Sequence, residues 1–206
     1  GLGIPRTSAV RARSAMRYTD AIRNIGGRTV PPEGDWELDI PNTFATFTAP
    51  HLVLARVKGR IPGITGSFTV AADPSNSRLE VELDARTLTS DDEKRDQHLI
   101  SEDFIHVEKF PTISFSSTSI QPVDDLWKLT GDLTIRGITN SVTLDVRFLG
   151  LTYDWGRLKS LFHAETVIDR HQWGMKWNRP LEWGGVAVGR EVRLEIHAQA
   201  KLIEEE

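Results

Sequence analysis

From Arg78 to Arg86 the chain reads Arg-Leu-Glu-Val-Glu-Leu-Asp-Ala-Arg, apolar and charged residues in strict alternation. Only an extended strand sends successive side chains to opposite faces. The stretch therefore predicts a β-strand with Leu79, Val81, Leu83 and Ala85 buried and its charges in water. The same period recurs along most of the chain. Ala45, Phe47 and Ala49 alternate with threonines, followed by a second strand or loop over Leu52–Val57. Ile64, Gly66, Phe68, Val70 and Ala72 share one parity, and Ile113 and Phe115 begin another strand. Leu126–Ile135 carries Leu133 and Ile135 inward, and after a turn at Arg136–Asn140 come Val142, Leu144, Val146 and Phe148. Phe162, Ala164, Thr166 and Ile168 repeat the pattern, as do Val192, Leu194, Ile196 and Ala198 opposite Arg193, Glu195 and His197.

Seven to nine antiparallel strands with one apolar face build a barrel or a sandwich. The first and last strands are both long enough to pair, which favours a closed sheet without edges. Many inward positions are small (Ala45, Gly66, Ala85, Ala164, Ala198, Ala200), so an eight-stranded barrel here has room for a ligand. Close sheet approach is the alternative reading of the same small residues.

One segment breaks the strand period. Ser90 with Glu93 has the spacing of a capping box, Asp91 and Asp92 suit a first helical turn, and Pro111 forces extended chain at Phe110. A short helix, stopped near Ser101 and followed by Phe104, is expected as a lid or floor of the barrel. The arm at residues 1–34 has a different character. Arg6, Arg11, Arg13, Arg17, Arg23 and Arg28 face Asp20 alone over its first thirty residues, in a chain of 206 residues with net charge −4. Ala15, Tyr18, Ile22 and Ile25 recur at helical spacing, with Gly26-Gly27 as a stop and Pro31-Pro32 as a connector. The arm is expected to be a basic helix that packs on the barrel of residues 35–206 or lies on a membrane surface.

Composition excludes several chemistries. The absence of cysteine removes disulfides, a thiol nucleophile and thiolate metal sites. No run nears the roughly 20 apolar residues of a spanning helix, and the acidic balance argues against a nucleic-acid partner. No nucleophile elbow, zinc-helix motif or phosphate-binding glycine loop is present. His98 and His106 flank a turn, but surface histidines beside acids are commonplace, and no metal or cofactor is expected. Arg95 and Asp96 on the short helix read either as a structural anchor or, for Arg95 with His98, as contacts to an anionic head group. Arg170 continues the inward parity of Phe162–Ile168, and Trp173, Met175 and Trp177 after it either gate a pocket or plug one end.

Read together, Trp-Glu-Leu-Asp at 36–39, the run 51–60, Gly-Ser-Phe at 66–68 and Arg-Asp-Gln-His-Leu-Ile-Ser-Glu-Asp-Phe at 95–104 form an ordered series. Lys-Phe-Pro-Thr-Ile-Ser-Phe at 109–115, the segment 131–144, the segment 164–181 and Gly-Gly-Val-Ala-Val-Gly-Arg-Glu-Val at 184–192 continue it. The series resembles the YceI-like family of lipid-binding proteins over roughly residues 35–203. The resemblance implies an extended lipocalin-like barrel with an apolar pore that holds a polyisoprenoid, such as an isoprenoid quinone or polyprenyl phosphate, with no established catalysis. Asn42 stands where the family often carries a histidine, and a basic arm replaces the signal peptide of secreted relatives.

Under that resemblance the ligand wall is the inward set: Ala45, Phe47, Phe68, Val70, Val81, Leu83, Phe104, Ile113, Phe115, Leu133, Ile135, Val142, Leu144, Phe162, Ala164, Ile168, Trp173, Met175 and Trp177. Head-group candidates are His51, Arg95, His98, Arg170 and Asn178. Two other readings stay open: a filled barrel whose arm recruits a membrane or partner protein, and an enzyme using His98, His171 and Asp169 on an amphiphile. A homodimer is compatible with either. The chain as it stands, without a signal peptide, is expected in the cytoplasm, or in the periplasm or outside the cell if a signal was removed.

Overall fold

Tight turns made by residues in the left-handed region set the strand register. In the computed structural model, which describes residues 21–204, both residues of Arg136-Gly137 (φ +54° and +71°) and of Trp155-Gly156 (+50° and +74°) have positive φ. This is the two-residue hairpin geometry whose twist matches that of the strands it joins. The elements are β1 (Arg23–Ile25), β2 (Arg28–Val30), β3 (Gly34–Leu38), β4 (Phe44–His51), β5 (Ala55–Ile61), β6 (Ile64–Val70) and β7 (Arg78–Asp84). Then come α1 (Glu93–Ile100), β8 (Thr112–Val123), β9 (Leu126–Ile135), β10 (Ile138–Asp154), β11 (Arg157–Asp169) and β12 (Glu191–Leu202).

The strands from β6 to β11 pair each with the next, β11 pairs with β12, and β12 returns to β3, which pairs with β6. That circuit is a closed, eight-stranded antiparallel barrel, as the lipocalin-like expectation required. The closing strand is shared. Ala200–Leu202 of β12 face Leu38–Trp36 of β3, whereas Arg193–His197 face Thr48–Phe44 of β4. A 3-10 turn at Ile40–Asn42 separates β3 from β4, so together they act as one interrupted strand. The β4–β5 hairpin prolongs the wall at one end.

Inward positions are mostly apolar and outward ones mostly polar along the long strands, with Leu149 and Val167 exposed and Lys159 and Ser160 buried as exceptions on β10 and β11. Trp36 and Ile64 are wholly buried, and Phe68 stacks on Trp36 at 6.1 Å and meets Phe162 edge-on at 5.4 Å. This arrangement is the reverse of a lipid-spanning barrel, whose outer positions are apolar. No described helix is long and apolar enough to cross a membrane. Where β3 ends, Asp39 and Lys159 form a buried ion pair at 2.9 Å, with Asn42 donating to the same carboxylate at 2.8 Å.

Three local expectations are corrected. Ser90 does not cap α1: the Asp92 side chain accepts from the Arg95 amide, because Asp91 at φ +59° turns the chain just before the helix. Leu52–Val57 is split, since Leu52 and Val53 make a turn and β5 starts only at Ala55. The helical stripe ending at Ile25 fails over 23–25, where β1 pairs with β2 around Gly26-Gly27, both at positive φ. The glycine pair closes a hairpin rather than stopping a helix. Ala15 and Tyr18 lie outside the described residues. The hairpin docks on one barrel end: Arg23 donates to the carbonyls of Ala71 and Ala72, and Val30 is 1% exposed.

Candidate functional site

The small inward residues leave a cavity of about 420 Å³ inside the barrel, within the roughly 300–1,000 Å³ of small-molecule sites. Its wall runs from Val30, Pro31 and Leu79 under the β1–β2 hairpin to Pro50, His51, Leu99 and Trp177 at the α1 end. Between these ends it is formed by Ala45, Phe47, Phe68, Val81, Leu133, Leu144, Phe162, Ala164 and their neighbours, nearly all hydrocarbon. Alternation places them there: each is the inward member of its strand.

At the far end α1 lies across the opening. Its Arg95, His98 and Leu99 face the cavity. Arg95 is fixed by Ser90, whose hydroxyl accepts from Nε and whose carbonyl accepts from an Nη, both at 2.8 Å. Asp96 secures the same serine from the other side, accepting from its amide at 2.7 Å and from its hydroxyl. The anchor reading and the cavity reading of Arg95 are thus both satisfied, because two of its N–H groups hold Ser90 and a guanidinium has five. His98 bonds Asp103 through Nε2 at 2.9 Å and packs edge-on against Phe104 and Trp177, with ring centroids at 5.0 and 4.4 Å.

Arg170 is 2% exposed and also faces the cavity. It donates to the carbonyls of Gly189 (2.8 Å), Met175 (2.5 Å) and Val188 (3.2 Å), and lies 5.8 Å from the Phe104 ring. Burial lowers its pKa, only partly opposed by Asp169. One buried cation thus staples the segment 175–189 over the barrel mouth. Arg179, which the sequence did not nominate, lies on the same wall. The polar groups at this end are therefore basic: His51, Arg95, His98, Arg170 and Arg179.

All the nominated wall and head-group residues line the cavity except Trp173 and Asn178. Trp173 is 1% exposed and points into the wall, its indole N–H donating to Leu133 carbonyl at 3.0 Å. Asn178 is a loop strut, donating to the Val188 carbonyl at 2.7 Å and accepting from the Val188 amide at 2.9 Å. Leu99, Ile105, Ala187 and Val188 line the cavity without having been nominated, because they sit in a helix and in loops where no period marks the inward side.

The residues of the catalytic reading do not gather. Asp169 binds Arg190 at 2.6 Å, which outweighs burial and holds its carboxyl below the usual range. The His171 pKa is lowered by burial and by Arg170 and Arg190, and of the three residues only His98 reaches the cavity. On the outer face His163, Glu195 and His197 bring ligand atoms within 4.8 Å of one another. The Glu195 carboxylate is already held by Arg193 at 2.8 Å, and that guanidinium opposes a second cation.

The YceI-like domain model matches residues 36–200. The chain belongs to the YceI-like family. Protein YceI of Salmonella newport is 32% identical over 144 residues, covering 69% of this chain and 75% of that protein. Among solved structures, Burkholderia cenocepacia BcnA superposes with a TM-score of 0.66 at 18% identity, over 79% of this chain and 98% of that one. A polyisoprenoid binding domain from Saccharophagus degradans, implicated in plant cell wall breakdown, gives 0.64 at 9% identity, over 82% and 98%. At such identities these two likenesses show the fold.

Proposed function

We propose that this YceI-like chain is a non-catalytic carrier or reservoir that buries the tail of an amphiphilic isoprenoid in its barrel. Its head group, preferably an anionic one such as a polyprenyl phosphate, sits among the basic residues at the α1 end. The observation that carries the reading is the shape of the cavity: a hydrocarbon wall along the barrel, with His51, Arg95, His98, Arg170 and Arg179 gathered at the α1 end and Arg78 alone among basic residues at the other. The polyisoprenoid binding domain of similar fold adds support for the class of ligand.

The driving force is apolar burial, about 0.8 kcal/mol per CH₂. Over a long tail that sum would exceed the practical ceiling of about 18–21 kcal/mol, so tail ordering and incomplete desolvation must offset much of it. With few orienting groups along the wall, tail length is selected loosely and the head group more strictly. Organic extraction of the purified protein followed by mass spectrometry of the lipid fraction tests the reading. A stoichiometric isoprenoid series supports it. An extract still empty after incubation with quinones and polyprenyl phosphates refutes it and favours an interaction module.

A further inference from the structure

Two loop tips project beyond the α1 end of the barrel, and their chemistry is wrong for water. The β4–β5 turn is Leu52-Val53-Leu54, with Val53 65% and Leu54 96% exposed. Beside it, Trp183 is 74% and Val186 49% exposed. The tips are tied together: the Leu52 amide donates to the Ala187 carbonyl at 2.8 Å, and His51 bridges Val188. Leu52 (φ +51°) and Val53 (φ +67°) occupy left-handed backbone that a turn normally gives to glycine or asparagine, and a β-branched residue there is strained. Apolar exposure and backbone strain thus coincide in a place where polar residues would relieve both. Such breaches of local rules collect at functional sites.

The surroundings say what the tips meet. Beneath them, Pro50, His51, Ala187 and Val188 are part of the cavity wall. Alongside, β5 presents Arg56, Lys58 and Arg60 outward, all exposed and none in an ion pair among the described residues. Lys176 and Arg179 are exposed on the other side, against Glu182. Apolar tips with an aromatic residue, framed by free cations, match the layering of a bilayer whose surface is anionic. A second copy of the chain fits less well, because a twofold contact would set the basic strand close to its own equivalent. Trp155, exposed at the opposite end, lies among charges that are already paired, Lys159 with Asp154 and Arg147 with Asp125.

We propose that this end docks on an anionic lipid bilayer, with Leu52–Leu54 and Trp183 in the interface and Arg56 and Lys58 against the head groups. The isoprenoid then passes between bilayer and cavity without crossing water. This rests on the carrier reading above, and the test separates the two. The full chain is floated with vesicles of phosphatidylcholine, with and without phosphatidylglycerol, beside the variants L54E/W183E and R56E/K58E. Both variants change exposed side chains and keep residues 1–34, so any binding by the basic arm is common to all three proteins.

The expected result is flotation of the parent with anionic vesicles, weakened by high salt, and at least about tenfold weaker in each variant. Variants that float like the parent, or a parent that ignores phosphatidylglycerol, overturn the docking. So does a parent that is dimeric without lipid and becomes monomeric in L54E/W183E, which assigns the patch to a second copy. In parallel, a fluorescent farnesyl probe is added from ethanol without vesicles. Equal uptake by parent and L54E/W183E, with slower loading of the variant from vesicles, supports docking. No uptake by any of them sinks the carrier reading and leaves the flotation result to stand alone.

Discussion

Replacing Lys159 by methionine should expose how strongly the junction between β3 and β4 depends on one ion pair. Asp39 and Lys159 are 5% and 6% exposed, and the lysine ammonium lies 2.9 Å from the carboxylate. For Asp39, burial is the largest influence and pushes the pKa up. Hydrogen bonds from Asn42 and Lys159, with the charges of Lys159 and Lys201, outweigh it and leave the group below its ordinary 3.8. Breaking a buried pair by removing one partner costs about 3–5 kcal/mol. Asn42 remains at 2.8 Å and Lys201 at 3.8 Å, so the lower end, about 3 kcal/mol, is expected here.

With a urea slope of about 3 kcal/mol/M for a chain of this size, the unfolding midpoint should fall by about 1 M. The sign of the pH effect follows from linkage. In the parent, the lowered pKa contributes stability that is present above 3.8 and lost as pH falls through the folded value. In the variant, Asn42 and Lys201 still oppose burial but both contributions of Lys159 are gone, so the folded pKa rises relative to the parent and the stability gained on ionisation above 3.8 shrinks. The deficit measured by urea unfolding should therefore be larger at neutral pH than near pH 4, and D39N/K159M should recover part of it. A deficit below about 1 kcal/mol, the same at both pH values and unrecovered in the double variant, would refute the reasoning.

Phe68→Asp places a charge between Trp36 and Phe162 and should cost more than about 3 kcal/mol by urea unfolding, with loss of lipid uptake. Ile135→Asp, 5% exposed in the parent, should behave alike. Gly131→Ala should destabilise by about 1–3 kcal/mol in calorimetry, since a Cβ there would sit 2.4 Å from the Ser116 carbonyl oxygen, which is backbone and cannot swing away. Arg170→Met should remove a donor from the carbonyls of Met175 and Gly189 and leave the Val188 carbonyl to Asn178 alone. Faster amide exchange at Val188 and Gly189, and faster release of bound isoprenoid, should report the loosened mouth.

Where the chain alternates, its sequence was a reliable guide to which side faces inward, and Arg170 was found because it continues the count from Ile168. Trp173 reads as a rim aromatic that gates or plugs the barrel, in a 3-10 turn at Arg170–Trp173 where no strand period marks the inward side. Arg179 and Val188 carry no periodic signal at all: a contact across ten residues, between Asn178 and Val188, decides where that loop lies. Arg23–Ile25 went wrong because three residues are too few to separate a strand from a helical turn, and Gly-Gly punctuates both. The buried Asp39–Lys159 pair joins residues 120 positions apart, which local pattern cannot reveal.

The shared use of β12 has a consequence for how the molecule is made. Trp36 is among the first barrel residues to be synthesised, yet beyond Phe68 its second strand partner is Leu202, and Phe44 waits for His197. Until β12 leaves the ribosome, β3 and β11 each keep one open edge around an apolar trough. Such distant pairing makes for slow folding and a long exposure to aggregation. On the carrier reading proposed above, a greasy molecule lying in that trough would shield it before closure and serve as a folding aid as well as a passenger.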